Sequence, residues 1–371
     1  MTAHRSPSLR SGFTTGTAAA AATGAAVLFL LAEAPPSQIP IRLPDGAVLE
    51  IPVHAGGRSD RQTAWATVVK DGGDDPDATH RAEIGARATL SEGGAPPEVT
   101  LVGGPGVGRV TKPGLEVPPG EAAINPVPRE MIRRAALDAL STCGRNGGTL
   151  TVEIFVPQGA DIARRTLNAR LGIVGGISIL GTTGRVRPMS HAAYIATIQS
   201  AFSVARAAGL TRAVLTTGRR GERHAQTRWP ELPEEAFVQI GDFFQRSLEL
   251  AADAGFAELR LAVFFGKALK MAEGTPHTHA ARSRLALDRL SRWTAEETGD
   301  PALAQAVAGA NTAREAFFLL QPVAPTLFAR VGERMIAAAR NFAGPGPTIR
   351  GVIFDFDGSP AWDAAPAAEA P

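Results

Sequence analysis

Two patterns of apolar and polar positions divide the chain. Up to about Pro188, short β-rich runs are mixed with single helices. Ile39–Leu43 and Val48–Val53 flank Pro44-Asp45-Gly46, a turn signal, and predict a hairpin. Trp65–Lys70, Val99–Val102 and the alternating Thr149–Val156 predict further strands. Pro128–Leu140 carries apolar residues at helical spacing with proline near its first turn, and predicts a helix. From His191 onward helices and strands alternate. Ala192–Ala208, Gln239–Ala254, Ala281–Glu297 and Leu327–Asn341 read as helices, and Ala213–Thr217, Leu259–Phe265 and Thr348–Phe356 as strands. Strands separated by helical runs imply a parallel sheet with both faces covered. The change of pattern places a boundary near Pro188–His191, and the Ala/Pro-rich residues after Gly358 read as a frayed tail.

The first thirty residues admit two readings. His4, Arg5 and Arg10 precede an apolar stretch ending at Leu31, followed by Ala32-Glu33-Ala34, which resembles a secretory signal with its cleavage site. The Thr14-Thr15-Gly16-Thr17 block interrupts that pattern and suggests a helix from Thr17 to Ala32 instead, capped by Thr15 or Thr17. Such a run is too short and interrupted to span a bilayer.

Composition narrows the classes. A chain of 371 residues suits about two domains of ~150 residues each. The net charge of +2, without a run of Lys or Arg, gives no concentrated basic face for nucleic acid, and four Trp and one Tyr supply few stacking platforms. A single cysteine, Cys143, excludes an internal disulfide and fits a reducing, cytoplasmic setting.

Glycine-rich loops carry the candidate chemistry. Gly172–Gly176 and Gly181-Thr182-Thr183-Gly184 bracket a short apolar strand, with Arg185 and Arg187 just beyond. Glycines let backbone N–H groups approach an anion, threonines add hydroxyls, and arginines grip carboxylates in pairs of hydrogen bonds. A strand between tight turns is the equal alternative. The Thr14–Thr17 block has the character of an anion site at a helix start, or of caps alone. Thr216–Gly221, with Gly218 and Gly221, follows the first strand of the second region, where open α/β sheets bind ligands. Gly103–Arg109 nearly copies a phosphate loop, but Arg109 and Val110 replace its Lys and Ser/Thr and Pro113 forbids the helix, so a nucleotide triphosphate site is rejected. Asp71, Asp74 and His80, in an acidic loop without EF-hand spacing, suit acid/base work, a cation or a solvated face. His277 and His279 lack companions for a metal set, so no metal site is expected. Val352–Gly358 ends in Asp355-x-Asp357-Gly, similar to the nucleophile motif of haloacid-dehalogenase-type phosphatases, yet only thirteen residues follow.

Five ordered blocks resemble one family. Leu9–Ala26 (LRSGFTTGTAAAAATGAA), Val69–Ile84 (VKDGGDDPDATHRAEI), Gly103–Leu115 (GGPGVGRVTKPGL), Gly120–Ile132 (GEAAINPVPREMI) and Val156–Ser190 look like the CbiD family, enzymes of cobalamin synthesis that methylate C-1 of cobalt-precorrin-5B. Later residues match more loosely, through Thr216–Gly218, Gly266-Lys267, Thr278-His279 and the closing strand. The resemblance implies an α+β and α/β protein, with an N-terminal α+β two-layer domain followed by a Rossmann-like three-layer α/β domain; with the boundary and tail read from the pattern, these span 1–190 and 191–358, and 359–371 is a flexible tail. It implies S-adenosylmethionine (SAM) as methyl donor and a cobalt-bound tetrapyrrole as acceptor, with cobalt only as part of the substrate. No nucleic acid or membrane is expected as partner, and contacts with neighbouring pathway enzymes would be transient. Two departures stand out: Ala18 replaces the family's usual cysteine, and Phe264 replaces the histidine of its GHxGK pattern.

On that resemblance, Lys112, Arg129, Arg170, Arg185, Arg187 and Lys267 are expected to hold the macrocycle's carboxylates. Asp71, Asp74 or His80 would accept the proton lost from the ring. The donor's methionine portion would meet Thr14, Thr15, Gly16 and Thr17 or Gly181, Thr182, Thr183 and Gly184, and its adenosine end Thr216, Gly218 and Gly221. The alternatives are a Mg²⁺-dependent phosphatase using Asp355 and Asp357, and a non-catalytic corrinoid carrier.

Overall fold

Seventeen residues, Thr15–Leu31, form the helix α1 around which the first half of the chain is built. Ala18–Ala22, Ala25 and Ala26 are fully buried, so this helix is apolar on every side and belongs to a core. In the computed structural model, which describes residues 9–32, 36–279 and 283–364, the chain splits into two compact units, Met1–His191 and Ala192–Pro371. The helical reading of the N-terminal run is the one observed for residues 15–31; His4, Arg5, Glu33 and Ala34 lie outside the described residues. The cap is Thr14 rather than Thr15 or Thr17, its side chain accepting from the Thr17 N–H at 3.2 Å.

In the first unit the elements after α1 are β1 (Gln38–Arg42), β2 (Val48–Pro52), β3 (Ala55–Arg58), β4 (Thr63–Val69), β5 (Glu83–Ser91), β6 (Glu98–Gly103), α2 (Pro126–Thr142) and β7 (Thr149–Phe155). β1 and β2 are the expected hairpin. The others form a five-stranded sheet in the order β3-β4-β5-β7-β6, antiparallel except for the parallel pair β7–β6. α1 packs on β4, β5 and α2. Its small residues permit the approach: a Cβ on Gly16 would stand 2.7 Å from Pro128 Cγ of α2. The sheet contributes alternating residues such as Ile84, Val152 and Ile154, all fully buried, each worth about 1.5–3 kcal/mol relative to exposure.

Helix α3 (His191–Ala207), whose first residue ends the first unit, opens the second, which continues with β8 (Arg212–Thr216), α4 (Arg219–Arg228), β9 (Phe237–Gln239), α5 (Phe244–Asp253), β10 (Glu258–Phe264), α6 (Phe265–Ala272), α7 (Ser283–Thr298), α8 (Pro301–Gly309), α9 (Ala313–Leu320), α10 (Thr326–Ala343), β11 (Thr348–Phe354) and β12 (Pro360–Asp363). The sheet order is β9-β8-β10-β11-β12, parallel except for β12. Successive residues of its strands enter different cores. Leu215, Val263 and Ile353 join residues of α3, α5, α6 and α10, while Val214, Ala262 and Val352 join Ala225 and Trp229 at α4. Both faces are therefore covered, as parallel strands require.

Three expectations change here. The single helix expected over Gln239–Ala254 is a strand and a helix: Phe237 and Val238 pair with Val214 and Leu215, and the chain then turns at Gly241 before α5. The strand expected to run to Phe356 stops at Phe354, where the Gly358 N–H returns to the Asp355 carbonyl in a turn. The tail expected from residue 359 includes β12, which pairs antiparallel with β11 and places the Trp362 ring over Gly332 of α10. Residues 365–371, like the 281–282 start of the expected Ala281–Glu297 helix, lie outside the described residues.

Candidate active site

The Thr14–Thr17 block and the Gly181–Gly184 loop meet in the first unit. Short strands Gly12–Phe13 and Arg185–Val186 pair antiparallel, with Phe13 opposite Arg185. The Thr14 N–H donates to the Gly184 carbonyl at 3.0 Å, and the Thr17 hydroxyl to the same oxygen at 2.7 Å. The Gly16 N–H donates to the Leu180 carbonyl, and the Thr15 hydroxyl accepts from the Leu180 N–H at 2.8 Å. Thr14, Thr15 and Thr17 are buried, so their polar groups serve the loop. Gly181 lies at φ +136, and a Cβ there would stand 2.4 Å from the Thr14 hydroxyl. Thr182 and Thr183 are exposed; the Thr183 hydroxyl accepts from the Arg185 N–H at 3.3 Å.

The acidic loop is fastened to the same segment. Arg10 donates through its guanidinium to both oxygens of Asp71, and its N–H donates to Asp74 Oδ2 at 2.6 Å, while the Asp74 N–H returns to the Arg10 carbonyl. Gly73 sits at φ +64 with its missing Cβ only 2.1 Å from the Arg10 carbonyl, so any side chain there would part the two strands of chain. The Asp71 carboxyl is held below its usual range by the hydrogen bond from Arg10, against the opposing effect of burial. His80 Nδ1 accepts from the Gly72 N–H at 2.9 Å, which leaves the ring proton on Nε2. Asp74 itself is exposed.

The basic residues fall in separate places. Arg185 is half-buried and Arg187 exposed, and neither guanidinium has a hydrogen bond or ion pair with the described residues. Lys112 packs its stem on Gly172, at the far end of the glycine segment, and Arg170 precedes it there. Arg129 is turned inward, donating to the Ile124 carbonyl at 2.7 Å and to Glu121. The Gly103–Val110 loop interlocks with Ile173–Ile177 through two-residue pairings, so its glycines serve backbone approach.

In the second unit, Thr216 ends β8, and Gly218 is the cap residue of α4 without a side-chain cap bond. The Thr216 hydroxyl is fully buried and has no partner among the described residues, an orphaned donor at the carboxyl edge of the sheet. A Cβ on Gly221 of α4 would stand 3.9 Å from the Phe264 ring, an ordinary contact. Lys267 is paired with Asp242 and also reaches the Thr278 carbonyl at 3.2 Å. Burial raises the Asp242 carboxyl, but Lys267 and Thr278 together outweigh it and hold it below the usual range.

Sequence reasoning missed Arg10, Asp242, Lys270 and the pair Lys70–Asp77. Lys70 is 1% exposed and donates to Asp77 at 2.6 Å, with Thr79 donating to the same carboxylate. No local motif marks these partners, whether seven residues apart, as Lys70 and Asp77, or 61 apart, as Arg10 and Asp71. Asp355 and Asp357 do not converge: Asp355 accepts from Gln321 at 3.0 Å, Asp357 from Ser359. Among the described residues no group of three His, Cys, Asp or Glu is placed to hold a metal, and no helix is long and apolar enough to cross a membrane.

The family models CbiD and CbiD, C-terminal domain, match residues 2–188 and 277–365. The chain belongs to the CbiD family. It is 46% identical over 359 residues to the cobalt-precorrin-5B C(1)-methyltransferase of Nitratidesulfovibrio vulgaris, covering 95% of this chain and 92% of the relative. The protein of that name from Geobacillus kaustophilus is 44% identical over 94% of this chain and 93% of its own. That of Salinispora arenicola is 43% identical over 96% and 92%. A solved structure of the CbiD cobalamin biosynthesis protein from Archaeoglobus fulgidus is 29% identical, covers 75% of this chain and 84% of its own, and has a TM-score of 0.40. As a family member this chain is an enzyme of methyl transfer, and the phosphatase and carrier alternatives find no support among these relatives.

Proposed function

We propose that this chain is a SAM-dependent cobalt-precorrin-5B C(1)-methyltransferase of cobalamin synthesis, acting in the cytoplasm. The observation that carries the reading is the 46% identity with an enzyme of that name across 95% of the chain. We read the first unit as an α+β two-layer domain and the second as a Rossmann-like three-layer domain, a reading supported by the parallel order β9-β8-β10-β11.

SAM supplies a methyl group on a sulfonium: the carbon–sulfur bond breaks with its electron pair going to sulfur, and a carbon–carbon bond forms at C-1. What this chain contributes is alignment. The orphaned Thr216 hydroxyl, beside Gly218 and the start of α4, fits a hydroxyl of the donor's nucleoside. The guanidinium groups of Arg185 and Arg187, unpaired among the described residues, hold carboxylate arms of the macrocycle. Thr14–Thr17 support Gly181–Gly184 from behind, which is how they serve the site. Of the three candidate proton acceptors, Asp74 is the best placed, because Arg10 occupies both oxygens of Asp71 and Gly72 occupies His80 Nδ1.

Incubation of the full chain with SAM and the cobalt-bound precursor, followed by mass spectrometry, tests this. A gain of one methyl with one equivalent of S-adenosylhomocysteine is expected. Binding of both ligands with no mass gain would refute the assignment.

A further inference from the structure

Where α6 begins, two ammonium groups face one carboxylate. Asp242, in the turn after β9, is bonded by Lys267 and receives the Thr278 hydroxyl at 3.0 Å. Lys270 lies one turn along the same helix and is 8% exposed. Among the described residues it bonds only neutral acceptors, the Thr278 carbonyl at 3.3 Å and the His279 carbonyl at 3.2 Å. Thr278, fully buried, thus stands under both lysines. Burial, and then Lys267, hold the Lys270 ammonium below its usual range, against the opposing effect of the Asp242 carboxylate. The other groups facing the cluster add no counter-charge near neutral pH: His279 lies beside Asp242, and the Tyr194 hydroxyl is pushed up by burial and by Asp242. Glu273, on the next turn, is directed to Arg289.

Lys267 and the nearly buried Lys270 thus share the single carboxylate of Asp242, and the remaining positive charge is costly unless a second anion completes the cluster. The cluster also sits at the carboxyl edge of the parallel strands, where β8 leads to β9 on one side and the chain returns to β10 on the other. That reversal of direction is where open α/β sheets bind ligands. We infer that Lys267 and Lys270, resting on Thr278, form a binding site for a ligand carboxylate, with Asp242 beside it to receive an ammonium or hydroxyl of the same ligand. This rests on the methyltransferase reading for its choice of ligands. Both carry the group: the donor in its amino-acid end, the macrocycle in its acetate and propionate arms.

Calorimetric titration of the full chain separates the two sources. The probes are SAM, decarboxylated SAM and a cobalt corrinoid polycarboxylate, each measured on the wild type, Lys267→Gln and Lys270→Met. The expected result is a loss of about tenfold in affinity for SAM in both variants, with decarboxylated SAM bound equally by all three proteins. The same loss for the corrinoid, with SAM unchanged, would assign the site to a macrocycle arm and also support it. Because Lys270→Met alters a buried position, the wild type's preference for SAM over its decarboxylated form and the more exposed Lys267→Gln carry the test if that variant fails to fold. A wild type that methylates while Lys267→Gln binds both carboxylated ligands normally would overturn the site and leave the methyltransferase reading intact. A wild type that binds SAM through these lysines without methylating would do the reverse.

Discussion

Thr17 donates its hydroxyl hydrogen to the Gly184 carbonyl oxygen at 2.7 Å, joining residues 167 apart in the chain. The same oxygen accepts the Thr14 N–H, so one carbonyl ties both the cap and the first turn of α1 to the glycine loop. Arg185 follows directly. The position of a candidate substrate-binding arginine therefore depends on a hydroxyl inside a core helix.

Thr17→Val keeps the volume and deletes the bond. It leaves a fully buried position with an apolar branch facing a carbonyl, at a cost of about 1–3 kcal/mol. Urea unfolding should show that loss, with affinity for the corrinoid falling more than affinity for SAM. A change below about 0.5 kcal/mol would mean that the Thr14 N–H alone holds the loop.

The Lys70–Asp77 pair predicts a second stability effect. Burial pushes the Asp77 carboxyl up, but Lys70 and the Thr79 donors outweigh it and hold it below the usual range. Its contribution is therefore present above the unfolded value near ~4 and is lost as pH falls through the lower folded value. Asp77→Asn leaves the Lys70 ammonium buried without a counter-charge and should cost about 3 kcal/mol at pH 7. It should also flatten the fall in stability below about pH 4. Denaturant titrations across pH check both, and an unchanged acid limb would assign that fall to other carboxylates such as Asp71.

How much of this could be read beforehand followed from locality. The hairpin Gln38–Pro52, helix Pro126–Thr142 and strand Thr149–Phe155 carry their periodicity and turn residues within their own sequence. α4 begins with Arg219 and Arg220, against the helix dipole, and α6 follows β10 without a break, so neither had a start signal. β12 was hidden because its strand character comes from pairing with β11. The glycine loops were visible as a group. That Thr14–Thr17 turn their hydroxyls inward was not, because the partner loop lies far along the chain.

Arg185 and Arg187 supply the most direct test of the substrate assignment. Neither guanidinium has a partner among the described residues, so removing either breaks no internal ion pair. Arg185→Ala and Arg187→Ala should each raise KM for the corrinoid about tenfold, leave kcat within about twofold, and leave the melting temperature unchanged. The salt dependence of corrinoid binding should weaken in both. Equal KM values in wild type and variants would remove these residues from the substrate site.

Phe264 stands where the family pattern has histidine, and its surroundings suit a ring without charge. Phe356 stacks on it at 5.9 Å with an interplanar angle of 16°, His224 meets it edge-on at 5.8 Å, and the Arg220 guanidinium lies 4.9 Å from its centroid. An imidazole there would lose apolar contact and weaken the cation–π interaction, so Phe264→His should cost about 1–2 kcal/mol. Burial and Arg220 would both disfavour the protonated ring, lowering its folded pKa below the unfolded ~6.5. The sign follows: protonation favours the unfolded chain, and the variant should lose further stability as pH falls below about 6.5, where the wild type has no corresponding change at this position. Unfolding at pH 8 and pH 5.5 reads the difference. If the loss is equal at both values, the ring at this position is solvated rather than held by Phe356 and Arg220, and the family's histidine would stand there without strain.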